Sequence, residues 1–289
     1  MAELDEDLCR TPTFSGTDCC QDRTDRQNFV ALGWPFLPKD DLTHMPSLRS
    51  PSATPGNYLL SRLSDTDFER LLPHLQACPL NLSQVLHKAR SVIDYVYFPL
   101  RGTASAVTIM ENGAGIEVAT VGNEGMVGVM AFFGAKISPN QVIVQLAGDA
   151  LRMSAHALTE EAGRNRALHD LLIAYHTAFY TQVSQTVACN GLHQIEQRCC
   201  RWLLMTHDRV LSDDIPLTHE YLAIMLGVRR ASVSEVLRYL QKRGVVENVR
   251  GVIRVKDRAG LEAVCCECYK VVKEEFQRLL SNPRSVADA

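Results

Sequence analysis

Residues 216–257 read PLTHEYLAIMLGVRRASVSEVLRYLQKRGVVENVRGVIRVKD, and this segment is the most informative part of the chain. Thr218 is a good helix N-cap, because its hydroxyl can accept a hydrogen bond from a backbone N–H of the first turn. That helix is predicted to end at Gly227, which permits the positive φ of a tight turn. Ala223 is small enough to let two helices cross closely, and Val233 fills the junction from the second helix. This spacing predicts a helix-turn-helix.

The second predicted helix has an apolar face and a polar face. Val233, Leu237 and Leu240 define the apolar face, and the opposite face is basic with small polar residues. After this helix, the sequence alternates around residues 248–251, which predicts a two-stranded wing with a basic tip. The residues predicted to contact DNA are Thr218, Arg229, Arg230, Ala231, Ser232, Ser234, Glu235, Arg238, Lys242 and Arg250.

These residue types suit double-stranded DNA. Arginine can donate two hydrogen bonds to guanine, glutamate can accept one from cytosine, and alanine can contact a thymine methyl group. Serine hydroxyls and free N–H groups at helix starts suit phosphates. The alternative is that the basic residues only solvate an amphipathic helix pair. The coincidence of turn spacing, basic face and wing favours DNA binding.

Charge is segregated along the chain. The formal net charge is -3, whereas residues 218–256 hold eight Lys/Arg and three Asp/Glu, a local charge of +5. DNA responds to the local field, so mild overall acidity does not exclude a nucleic-acid partner.

Residues 58–157 are predicted to form an antiparallel β domain. Its short Val- and Ile-rich segments are VIDYVYF, ASAVTIM, IEVATV and QVIVQLA, and most are separated by Gly or Asn. Such spacing is typical of a small barrel or sandwich. Glu124, Gly125 and Gly128 fall in one of its turns.

Residues 158–190 are predicted to form a long helix with an apolar stripe. A symmetric partner is the economical way to bury that stripe, so the helix is predicted to mediate dimerisation. The alternative is that it packs on its own barrel. The stripe consists of Leu168, Leu172, Tyr175, Phe179, Val183 and Val187.

The remaining segments complete the expected domain order. Residues 191–280 should form the winged-helix domain with a C-terminal helix, followed by a tail at 281–289. Residues 1–57 hold six of the twelve prolines and no periodic apolar pattern, which predicts disorder. Without a membrane span or a secretory signal in the sequence, the expected location is the cytoplasm.

Four motifs carry a family resemblance. They are VYFP (96–99), VGNEGMVG (121–128), VQLAGDALRMSA (144–155) and LGVRRASVSEVL (226–237). From about Tyr58 onward the chain resembles the Crp/Fnr family of bacterial transcription regulators. The resemblance implies an α+β fold: a jelly-roll-like β-roll similar to a cyclic-nucleotide-binding domain, a long dimerisation helix and a winged helix-turn-helix. It also implies recognition of a palindrome, with the base-contacting face on Arg230, Ala231, Ser234 and Glu235.

The chain departs from the cyclic-AMP-binding members of that family. Those members place a Glu after the glycine that is Gly128 here, and an Arg-Ser or Arg-Thr pair further on. In this chain Val129 follows Gly128, and the aligned pair falls near Asn140 and Gln141. We therefore expect no cyclic-AMP response, with an unknown small molecule as the possible effector. Ala231 stands where many members have Glu, and Arg229 where Ser often caps the helix, so the operator should differ too.

Two other functions would leave different motifs in the sequence. An enzyme is not expected, because the sequence contains no nucleophile elbow, zinc-protease motif, phosphate loop or dinucleotide fingerprint. A redox or metal sensor would use cysteines such as Cys199-Cys200 and Cys265-Cys266-x-Cys268. Adjacent cysteines on a helix cannot all meet one metal without partners from elsewhere, so these are predicted to be reduced core residues. Cys9, Cys19 and Cys20 do not match the spacing of the iron–sulfur members.

The expected partners are therefore double-stranded DNA and a second copy of the chain, with RNA polymerase if the protein activates transcription. Neither a cofactor nor a metal is expected.

Overall fold

The structure, a computed structural model, describes residues 56–210 and 212–281, with side chains up to residue 278. Apart from Gly56, Asn57 and Ser281, the two predicted tails lie outside the described residues. The α-helices are α1 (Asp65–Leu71), α2 (Ala155–Arg164), α3 (Arg166–Leu192), α4 (Ile195–His207), α5 (His219–Leu226), α6 (Arg230–Lys242), α7 (Arg258–Val264) and α8 (Cys268–Ser281). The strands are β1 (Gln76–Leu80), β2 (Val85–His87), β3 (Tyr95–Ile109), β4 (Gly115–Val121), β5 (Gln141–Ser154), β6 (Asp214–Pro216), β7 (Val246–Val249) and β8 (Val252–Val255).

The first sheet is the predicted antiparallel β-roll. Its order is β1-β5-β3-β4, and β2 also pairs with β5. Two segments predicted as separate strands, VIDYVYF and ASAVTIM, lie largely within the single strand β3. The ladder between β3 and β5 shifts register repeatedly between Pro99 and Ala104, and such irregularities bend both strands. One long bent strand therefore replaces the predicted pair.

The ordered fold begins before the predicted boundary at residue 57. Asn57 is fully buried, and its Nδ2 donates hydrogen bonds of 2.8 Å to the carbonyl oxygens of Pro99 and Gly125. Burial of this amide is favourable because both donors are satisfied. Asn57 thus anchors the chain to the turn that contains Gly125, and its assignment to a disordered segment was wrong.

The helix predicted over residues 158–190 is two helices. Asn165 has extended backbone angles and ends α2, and its Oδ1 accepts a 3.1 Å hydrogen bond from Leu168 N at the start of α3. An asparagine in this conformation is a strong helix N-cap. The break turns α2 back onto the β-roll and lets α3 run on as a separate helix.

The second sheet, β6-β8-β7, lies in the C-terminal domain with α4 to α7. Its core includes Leu203, Leu222, Leu240 and Ile253, each fully buried. The last helix, α8, packs against α3. Among the described residues, no helix combines the length and apolar character needed to cross a membrane.

Candidate nucleic-acid interface

Helices α5 and α6 meet at a tight turn. Thr218 Oγ1 accepts a 3.2 Å hydrogen bond from Tyr221 N and so caps α5. Gly227 ends that helix with φ +62°, a left-handed conformation that glycine adopts without strain. Ala223 is buried beside it and Val233 is fully buried in α6. The two helices are therefore held in the helix-turn-helix arrangement.

The polar face of α6 is open to solvent. Its buried face is formed by Val233, Val236, Leu237 and Leu240. Within the described residues, Arg229, Arg238 and Lys242 have no ion-pair partner, and Arg230 has only a long 3.8 Å contact with Glu220. Unpaired cations on one face attract a polyanion. The predicted contacts that are exposed at the start of α6 and along it are Arg229, Arg230, Ala231, Glu235, Arg238 and Lys242.

The two predicted serine contacts are half-buried. Ser234 Oγ donates to the Arg230 carbonyl oxygen at 3.1 Å and lies 2.9 Å from His219 Nδ1. His219 Nε2 lies 2.6 Å from Asn248 Nδ2 in the wing. The imidazole thus joins α6 to the wing, and burial is the main cause that lowers the pKa of His219. Sequence analysis missed this residue because its partners are 15 and 29 positions away.

The wing is a tight hairpin between β7 and β8. Arg250 and Gly251 both have positive φ, at +41° and +83°. Two such residues are typical of the primed turn that matches the twist of a two-stranded ribbon. Arg250 is exposed at its tip, where its charge is available to a phosphate.

The helix-turn-helix packs against the β-roll. A Cβ on Gly227 would lie 2.7 Å from Ile116 Cδ1 of β4, so the turn approaches that strand closely. Next to Ile116, Glu117 is buried, with 6% of its surface exposed. Its carboxylate accepts hydrogen bonds from Ser105 Oγ at 2.6 Å and from Trp202 Nε1 of α4 at 3.0 Å. Burial raises the pKa of Glu117 to about 7. This carboxyl group, which the sequence did not single out, links the two domains.

The turn that contains Glu124, Gly125 and Gly128 is also occupied by protein contacts. Arg209, two residues after the end of α4, donates a 2.7 Å hydrogen bond from Nη2 to Glu124 Oε1 within a partly buried ion pair. Tyr175 OH donates to Met126 O at 2.9 Å, and its ring lies where a Cβ on Gly125 would be. The glycine is therefore needed for the close approach of α3.

The positions that the family resemblance aligns with a cyclic-phosphate site supply no cation. Val129 is buried, and Asn140 Nδ2 donates a 2.8 Å hydrogen bond to Thr108 Oγ1. Gln141 begins β5 opposite Val107. Arg152 stacks on the Tyr95 ring, 4.7 Å from its centre.

The stripe predicted as the dimer seam divides into two parts. Leu168, Leu172 and Tyr175 are buried in the core of their own protomer, so their assignment to a seam was wrong. Phe179 and Val183 are half-buried against the β-roll, while Val187 is 66% exposed. The reason is that α3 carries apolar residues on two sides, and only one of these sides packs within its own chain.

One group of side chains could hold a metal ion. The ligand atoms of Cys189, His193, Cys266 and Cys268 all lie within 4.8 Å of one another. Sequence analysis considered the cysteines of this group near residue 266 but not the histidine. The available signal was Cys189-x3-His193, because residues four apart share one helix face.

Two family models match the chain. That of the cyclic nucleotide-binding domain matches residues 80–165, and that of the Crp-like helix-turn-helix domain matches residues 197–264. No curated protein sequence matches the chain.

Solved structures share the fold. FixK2 from Bradyrhizobium japonicum is 14% identical with a TM-score of 0.59, and the match covers 66% of this chain and 98% of that one. A Crp/Fnr-family regulator from Eubacterium rectale is 17% identical with a TM-score of 0.57, covering 71% and 96%. The c-di-GMP-responsive regulator CLP from Xanthomonas campestris is 14% identical with a TM-score of 0.53, covering 66% and 99%.

A cyclic-nucleotide-binding-type β-roll followed by a helix-turn-helix domain defines a class of DNA-binding transcription regulators. The order of the two matched domains is that of the Crp/Fnr family, and the chain belongs to this family.

Proposed function

We propose that this regulator is a homodimer that recognises a palindromic DNA site with α6 in the major groove and the wing against the backbone. The observation that carries the proposal is the exposed basic face of α6, with Arg229, Arg238 and Lys242 unpaired among the described residues. Arg230 and Glu235 are the proposed base contacts, and Thr218, Ser232 and Arg250 the proposed phosphate contacts. Ser234 acts mainly through its bonds to Arg230 and His219.

The proposed dimer forms through a face of α3 that the β-roll leaves uncovered. Its exposed residues recur at alternating steps of four and three, the spacing of a coiled-coil seam. Ile173, Tyr180 and Val187 are 38%, 66% and 66% exposed in the single chain. The full set is Ile173, Thr177, Tyr180, Ser184, Val187 and Gly191.

A dimer is needed because one winged helix contacts few base pairs. A two-fold axis along α3 would present two copies of α6 to half-sites about 34–36 Å apart, one turn of DNA. An activating role would add RNA polymerase as a partner. We propose that the protein acts in the cytoplasm, where the DNA is. We assign no enzymatic activity to it.

We also propose that cyclic AMP is not the effector. A cyclic phosphate needs a fixed cation, which arginine supplies as a two-pronged donor. Val129, Asn140 and Gln141 offer none, and Arg209 at the neighbouring turn is paired with Glu124. Desolvating a phosphate without a cation is costly. Any effector is therefore a different small molecule.

Selection from random DNA by the purified protein tests the first proposal. We expect enrichment of a palindrome with half-sites one turn apart. Enrichment of single half-sites would contradict the dimer, and no enrichment would contradict specific recognition. Calorimetric titration with cyclic AMP and cyclic GMP should show no binding, and a micromolar dissociation constant for either would contradict the effector proposal.

A further inference from the structure

The residues Cys189, His193, Cys266 and Cys268, here called the Cys3His cluster, come from two distant parts of the chain. Cys189 lies in the last turn of α3, and His193 is the residue that caps its C-terminus. Cys266 lies just before α8, and Cys268 is its first residue. The cluster therefore forms where the end of the long helix meets the start of the C-terminal helix.

The spacing within the cluster fits one tetrahedral ion. Zinc–sulfur bonds of about 2.3 Å at tetrahedral angles place two ligand sulfurs about 3.8 Å apart. Here Cys189 Sγ lies 3.6 Å from Cys266 Sγ, and Cys268 Sγ lies 3.5 Å from His193 Nδ1. An iron–sulfur cluster spreads its cysteines over several irons and needs them farther apart than a shared ion does.

The chemistry of the donors also selects zinc. Three thiolates and one imidazole form one of the common ligand sets of structural zinc sites. The three cysteines are buried, which keeps competing water away from the ion. Other described cysteines lie outside the set of four, including Cys78 in the β-roll and Cys199 in α4.

Two charged residues beside the cluster, Glu267 and Arg201, could support a bound metal ion. His193 Nε2 lies 3.3 Å from Glu267 Oε1, so a carboxylate can orient the imidazole while Nδ1 faces the cysteines. Arg201 is only 6% exposed, and its Nε and Nη1 have no hydrogen-bond partner among the described residues. Three thiolates and a divalent ion carry a net charge of about −1, which a buried guanidinium offsets.

We propose that the Cys3His cluster binds one zinc ion that fastens the C-terminal helix α8 to the end of α3. Two ligands lie at the end of α3 and two at the start of α8. The ion therefore closes a loop of about 75 residues, which contains the whole helix-turn-helix and the wing. Closing so long a loop restricts the unfolded chain strongly.

Metal content of the full-length protein tests the proposal directly. The protein is purified under reducing conditions and dialysed, and its metal content is measured by inductively coupled plasma mass spectrometry. We expect one zinc ion per chain. Cys268→Ser and Cys266→Ser should lose it, while Cys78→Ser should retain it. A variant with Cys9, Cys19 and Cys20 all replaced by Ser should also retain it. Loss of zinc in that variant, or retention in Cys268→Ser, would overturn the proposal.

A second measurement guards against misfolded variants. Glu267 is exposed, so Glu267→Ala should fold normally yet release zinc to a chromophoric chelator with an affinity lowered about 10–100-fold. Cobalt substitution in the wild type should give the intense absorption of a four-coordinate thiolate site. An iron–sulfur spectrum, or a Cys189–Cys266 disulfide without zinc, would contradict the assignment. None of these readouts depends on DNA binding.

Discussion

Helices α3 and α6 show how far an apolar pattern determines what a helix contacts. In α6 the apolar residues Val233 and Leu237 share one face and the charges occupy the other, so the buried side follows from the sequence. In α3 both sides are apolar: Leu172 is fully buried and Tyr180 is 66% exposed. Periodicity identifies the helix in both cases. It assigns the faces only when one of them is too polar to bury.

The largest expected effect separates the two faces of α3. Leu172→Asp buries an unpaired charge in the β-roll core and should lower the free energy of unfolding by more than about 3 kcal/mol. Tyr180→Asp should leave the fold intact but produce a monomer, because the charge falls on the proposed seam. Thermal unfolding and light scattering measure the two outcomes. A stable monomer from Leu172→Asp, or a stable dimer from Tyr180→Asp, would reverse the assignment of the faces.

The next effect concerns the contact between the β-roll that carries α3 and the domain that carries α6. Burial raises the pKa of Glu117 to about 7, above its ordinary 4.5. The folded state therefore takes up a proton more readily than the unfolded chain, so stability falls as the pH rises from about 4.5 through 7. A shift of this size corresponds to about 3 kcal/mol. Glu117→Gln removes this titration.

The measurement is the free energy of unfolding from pH 5 to pH 8. As the pH rises over that range, the free energy of unfolding of Glu117→Gln should increase relative to that of the wild type by up to about 3 kcal/mol. Glu111→Gln, an exposed carboxyl in the β3–β4 turn, serves as the control and should show no such gain. If the free energy of unfolding depended on pH in the same way in the wild type and in Glu117→Gln, ionisation of Glu117 would not destabilise the folded state.

The charged face of α6 is tested by Arg230→Ala. Loss of a base contact should weaken binding to the selected palindrome by about 1–3 kcal/mol while affinity for unrelated DNA changes little. Glu220→Gln is the matched control: it removes the long ion pair with Arg230 and should not weaken binding. Titrations at fixed salt compare the three proteins. Unchanged specificity in Arg230→Ala would place the recognition surface elsewhere.

The sequence was most informative where local chemistry determines structure. The turn at Gly227, the wing turn at Arg250-Gly251 and the amphipathic α6 depend on neighbours within a few residues. The sequence predicted that residues 58–157 form an antiparallel β domain. It did not predict that two of the segments join in the single strand β3, because that depends on pairing with the distant strand β5. The hydrogen bonds of Asn57, Glu117 and His219 join residues far apart in the chain, so no local sequence pattern predicts them.

The smallest expected effect concerns Arg250 at the wing tip. A phosphate contact releases counterions, so Arg250→Ala should weaken all DNA sequences alike and flatten the plot of log affinity against log salt by about 0.9 per wing. Arg250→Lys keeps the charge and should preserve the slope. Arg62→Ala removes an exposed arginine near the first helix and should have no effect. If Arg250→Ala instead altered the preferred palindrome without changing the slope, the wing would contact bases, and α6 would no longer account alone for sequence recognition.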